Sequence, residues 1–113
     1  MDRLFHIASL SDWEGAQPNK RYEQGLEADG FIHLSQRDQV LTPANLWYSG
    51  RQDLLLLVID EALLLSEVLR EPGTATTELF PHLYGPLNTE AVCQVFEFRP
   101  DDNGGFSHLP EGV

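Results

Sequence analysis

Hydrophobic and polar positions along this chain fall into short blocks rather than long helical periods. Residues 3–8 predict a strand in which Phe5 and Ile7 face one way and His6 the other, since successive strand side chains point to opposite faces. Ser11-Asp12-Trp13-Glu14 then matches a capping box and predicts a short helix from about residue 12 to 17, broken at Gln17-Pro18. The polar stretch to Asp29 reads as a loop with a weak helical turn around Tyr22 to Leu26. Gly30 opens a second strand, Phe31 to Ser35, which places His33 on the face opposite Ile32 and Leu34.

Ser35 is positioned to cap the next helical segment, where Val40, Leu41, Ala44 and Trp47 recur at helical spacing and Gly50 closes the block. Pro43 predicts an interruption, giving two short helices, 36–41 and 43–49, or one bent one. The run Leu54 to Ile59 lacks alternation, which suits a central strand covered on both faces. A turn of helix over Glu61 to Ser66, a strand from Glu67 to Glu71 ended by Pro72-Gly73, and a mobile loop from Thr74 to Glu78 follow. Thr89 to Arg99 alternates as a strand, with Val92, Gln94, Phe96 and Phe98 sharing a face and Cys93 buried on the other. Residues 1–100 read as one domain and 101–113 as a poorly ordered tail in which His108 is a surface residue.

Composition narrows the function classes. With 113 residues, 42% hydrophobic and 22% charged, the chain can build one core without disulfides or metal. Seven Lys and Arg against 18 Asp and Glu leave a formal charge of −11, which repels polyanions and disfavours a nucleic-acid partner. No apolar run is long enough to span a bilayer and no leader pattern is present, so a cytoplasmic protein with a small-molecule ligand is the expectation. The oligomeric state is left open.

Candidate chemistry gathers on histidines. His6 and His33 lie in strand-like segments whose side chains could line one common cleft, walled by the octad Phe80-Pro81-His82-Leu83-Tyr84-Gly85-Pro86-Leu87 that carries His82. That octad reads as a rigid loop presenting His82 and Tyr84 on a fixed backbone, or as an apolar plug through Phe80, Leu83 and Leu87. Each histidine could equally be a hydrogen-bonded core residue. A metal site completed by Glu71 or Glu78 lacks the usual ligand spacings, and no nucleophile elbow or phosphate-cradling glycine loop occurs.

In their order along the chain, Leu4-Phe5-His6-Ile7, Gly30-Phe31-Ile32-His33-Leu34-Ser35, the aliphatic strand ending in Asp60, Glu71-Pro72 and the proline-rich octad resemble domain-of-unknown-function family 952. That family is similar to compact ADP-ribosyltransferases, distant relatives of the RNA 2′-phosphotransferases. The resemblance implies an α+β fold with a split β-sheet and short helices, and NAD bound as co-substrate. It implies that His6 contacts the nicotinamide-side ribose, that His33 supports the nicotinamide with Ser35, His82 and Tyr84 beside it, and that Glu71 or Glu78 assists transfer. Arg37 or Arg51 would meet a phosphate. The expected function is an NAD-utilising ADP-ribosyltransferase acting on a small molecule or protein; the alternative is a non-catalytic nucleotide or small-ligand binding domain. RNA 2′-phosphate transfer is disfavoured because so acidic a chain has few cations for a basic cleft.

Overall fold

A computed structural model describes residues 2–113. Among these, the chain forms a small α+β protein with three short antiparallel sheets and short helices. In chain order come β1 (Arg3–Ser9), α1 (Leu10–Ala16), β2 (Arg21–Tyr22), α2 (Leu26–Asp29), β3 (Ile32–His33), α3 (Leu41–Trp47), β4 (Leu54–Asp60), β5 (Glu67–Pro72), β6 (Leu79–Tyr84), β7 (Leu87–Asn88) and β8 (Val92–Phe98). The first sheet is ordered β1-β4-β8, the second β2-β7 and the third β3-β6-β5. No helix among the described residues is long and apolar enough to cross a membrane.

The aliphatic run is the central strand that its lack of alternation predicts. Leu55, Leu57 and Ile59 enter one core with Leu4, Ile32, Leu34 and Leu83, while Leu54, Leu56 and Val58 enter a second with Phe5, Val40 and Phe98. Every residue of β4 is buried, so both sheet faces contribute hydrophobic stabilisation. The first and third sheets meet at one bridge, where the Phe5 N–H donates to the Ser35 carbonyl at 2.9 Å and the Ser35 N–H to the Phe5 carbonyl at 2.8 Å.

Several local expectations are corrected. Ser9, not Ser11, caps α1: its Oγ accepts from the Asp12 N–H at 3.1 Å as the strand runs straight into the helix. Pro43 does not interrupt α3, because it lies in the first turn, where a backbone N–H has no intrahelical partner to lose. Ahead of α3, residues Arg37–Gln39 form a 3-10 turn whose Gln39 side chain accepts from the Gln36 N–H; Ser35 is not a cap but half of the inter-sheet bridge.

The octad is not a loop. Residues 79–84 form the middle strand of the third sheet, with a turn at Gly85-Pro86 leading into β7. Pro81 is tolerated there because its carbonyl accepts from Leu34 N–H at 3.0 Å. Its ring nitrogen therefore faces the same side, where β3 has already ended, and the pairing with β5 loses no donor. In β8 the pairing slips at Val58/Ile59, making Cys93 an extra residue. The bulge turns Val92 towards the first core and leaves Phe96 and Phe98 at the second, and it exposes Cys93.

Within residues 101–113, Phe106, Leu109 and Val113 pack against the second core. Phe106 is buried against Phe98, their ring centroids 4.7 Å apart, and its N–H and carbonyl are both held by the Asn45 side chain. His108 is exposed as expected.

Candidate functional site

A cleft of about 950 Å³ opens where the first and third sheets converge. His6, His33, Ser35, His82 and Glu78 all line it; Glu71 and Tyr84 do not. The histidines arrive from three strands. His33 and His82 are direct cross-strand partners of β3 and β6, so their rings share a face, 5.5 Å apart and edge to face. His6 comes from β1, held next to β3 by the Phe5–Ser35 bridge.

His6 is fully committed inside the protein. A carbonyl can only accept, so its Nδ1–H donates to the His33 carbonyl at 2.6 Å, and its Nε2 accepts from the Tyr22 hydroxyl at 3.0 Å. Burial is the main cause that lowers its pKa from 6.5 to about 4, so the ring is neutral at physiological pH in one tautomer. Tyr22 is held well above the usual phenol range, chiefly by burial and then by the nearby Asp12 carboxylate. The pair therefore builds a rigid wall of the cleft.

His33 donates from Nε2 to Asp29 at 3.0 Å, four residues earlier at the end of α2. His82 donates from Nδ1 to Glu71 Oε1 at 2.9 Å, and the Tyr84 hydroxyl donates to the same oxygen at 2.6 Å. These two donors, Tyr84 first, hold the Glu71 carboxyl below its ordinary range. Glu71 and Tyr84 thus act on the cleft through His82, whose Nδ1–H they hold, leaving Nε2 as the other ring nitrogen. That Nε2 is buried and has no hydrogen-bond partner among the described residues. Phe31 stacks on the ring at 4.0 Å between centroids.

Sequence reasoning missed Tyr22, Phe31, Trp47 and Tyr48 as cleft residues, along with Asp12 and Asp29. The Asp29-to-His33 spacing and the Phe31-x-His33 alternation were available signals; nothing local marks Tyr22, which β2 brings in by pairing with β7. Of the two arginines considered for phosphate, Arg37 donates to the Val113 carbonyl and lies outside the cleft. Arg51 lines it but makes two bonds to Asp53, at 3.0 and 2.7 Å, with its guanidinium 5.7 Å from the Tyr48 ring centroid. Glu78 accepts from the Gln39 side chain at 2.8 Å. Among the described residues no group of three or more His, Cys, Asp or Glu is arranged to hold a metal ion.

The sequence matches a family model over residues 7–95, and the chain belongs to that family, described as a protein of unknown function (DUF952). Its structure is similar to the crystal structure of protein CC0527 from Caulobacter crescentus, with a TM-score of 0.82, 30% identity and 91% of each chain covered. The solution structure of CC0527 gives a TM-score of 0.78 at 32% identity, covering 93% of this chain and 91% of that one. No curated protein matches the sequence.

Proposed function

We propose that the cleft binds NAD as a co-substrate and that the protein is an ADP-ribosyltransferase-like enzyme on a compact split-sheet fold. The observation that carries this reading is the convergence of His6, His33 and His82 with Ser35 in one aromatic-walled cleft of about 950 Å³, a volume suited to a nucleotide. When bound, NAD supplies a glycosidic bond whose electron pair departs with neutral nicotinamide while an acceptor oxygen or nitrogen bonds to the ribose carbon. The acceptor's proton must go to a base. Asp29 through His33 offers one route, and the lone pair of His82 Nε2, oriented by Glu71, offers another. Asp12 and Glu78 supply negative charge where positive charge develops on the ribose.

A second reading, a non-catalytic ligand-binding domain, is favoured by one fact: Glu78, the lining glutamate, is tied to Gln39, and Glu71 stays outside. Titration of the protein with NAD, followed by amide shifts, tests the site. Saturable shifts at residues 30–35 and 80–82 that vanish in His33→Ala support it, and unchanged spectra at millimolar NAD overturn it. Nicotinamide release by the same sample over hours separates transfer from binding alone.

A further inference from the structure

The charge of the cleft does not match the whole of a dinucleotide. Asp12, Asp29 and Glu78 line it, and among the described residues Arg51 is the only lysine or arginine that does. Arg51 is already neutralised by Asp53, whereas neither Asp12 nor Glu78 has an ion-pair partner among the described residues. Asp12 also adds to burial in raising the Tyr22 and Tyr48 phenols, which puts its field inside the cleft.

Two further observations carry the same sign. The walls are aromatic, from Tyr22, Phe31, Trp47 and Tyr48, and aromatic faces attract cations, as Tyr48 already does with the Arg51 guanidinium. His82, with its side chain only 5% exposed, keeps an unpartnered Nε2. With Glu71 taking the Nδ1–H, the neutral His82 ring keeps a lone pair at Nε2, which accepts from a hydroxyl donor and repels a phosphate oxygen.

We infer that the cleft recognises a cationic N-alkylated heteroaromatic ring carrying an uncharged polyol, and that a diphosphate attached to it weakens binding. This rests on the NAD reading above and narrows it to the nicotinamide riboside half. Nicotinamide riboside, NAD and ADP-ribose, titrated by calorimetry and amide shifts at low salt, test it. Nicotinamide riboside should bind about tenfold tighter than NAD, ADP-ribose should not bind, and added salt should weaken the riboside complex. Asp12→Asn should weaken riboside binding several-fold, while Glu14→Gln, an equal charge change at an exposed position of the same helix, should leave it unchanged. NAD binding as tightly as the riboside, or ADP-ribose binding at all, overturns the inference and leaves the NAD reading standing. Absence of binding by all three compounds overturns both.

Discussion

Protonation of His6 is the sharpest test of the site's construction. The unfolded chain takes up a proton near pH 6.5 that the folded chain refuses until about pH 4, because both ring nitrogens are engaged and the ring is buried. The folded pKa is depressed, so stability is complete above pH 6.5 and falls as pH drops through that window. Each unit in the window is worth about 1.4 kcal/mol, and by pH 5 the loss from this one group is about 2 kcal/mol. Carboxylates held low by their partners, such as Glu61 beside Arg70, lose most of their contribution below the ordinary 4.5, and comparison with a His6 variant subtracts whatever they and the other histidines contribute by pH 5. Urea unfolding of wild type and His6→Gln at pH 7.5 and 5 gives the comparison, and the difference between their pH responses should be about 2 kcal/mol. Superimposable pH responses would refute the reasoning. Should the variant fail to fold, the imidazole nitrogen shifts of the wild type give the same answer: no protonation of His6 at pH 5, and the proton on Nδ1.

Three other outcomes follow from the geometry. Gly85→Ala should destabilise by at least about 1 kcal/mol in urea unfolding, since a methyl there would sit 2.8 Å from the Ser66 Cβ and press on its hydroxyl, which bonds the Pro86 carbonyl. Glu71→Leu, which removes the acceptor, should release the His82 Nδ1–H, seen as loss of its uniform signature in nitrogen-detected spectra while the folded-state amide dispersion is kept; an unchanged signature would show that Glu71 does not orient the ring. Phe106→Ala should cost about 3 kcal/mol and lower the thermal midpoint, whereas an unstructured tail would make it silent.

The strands with unmistakable patterns were legible in the sequence. β1, β4 and β5 lie where alternation or unbroken aliphatic character put them, and β4 is central because seven consecutive buried positions require cover on both sides. The common cleft of His6 and His33 beside the octad was legible in the sequence, but the pairing of His33 with His82 was not. That His33 faces His82 is a matter of register between strands about 50 residues apart in sequence, which no local pattern encodes. The octad misled because proline argues against a middle strand; only the early end of β3 makes Pro81 harmless. The role of Cys93 was hidden for a similar reason, since a bulge changes the parity of every later side chain. Charge alone does not place the arginines, whose partners, Asp53 and the Val113 carbonyl, are set by tertiary structure.

The paired amide bonds between Phe5 and Ser35 act as a rivet immediately under the cleft, one residue from His6 and two from His33. The two sheets cannot part without breaking both bonds and drawing buried Phe5 and Leu34 out of their cores. A guest must therefore be accommodated at the rim, by half-exposed Trp47 and the turn at 73–78, while the floor keeps its width. Deuterium exchange would register this division, with the Phe5 and Ser35 amides surrendering their protons only on global unfolding and those of the rim turn doing so early.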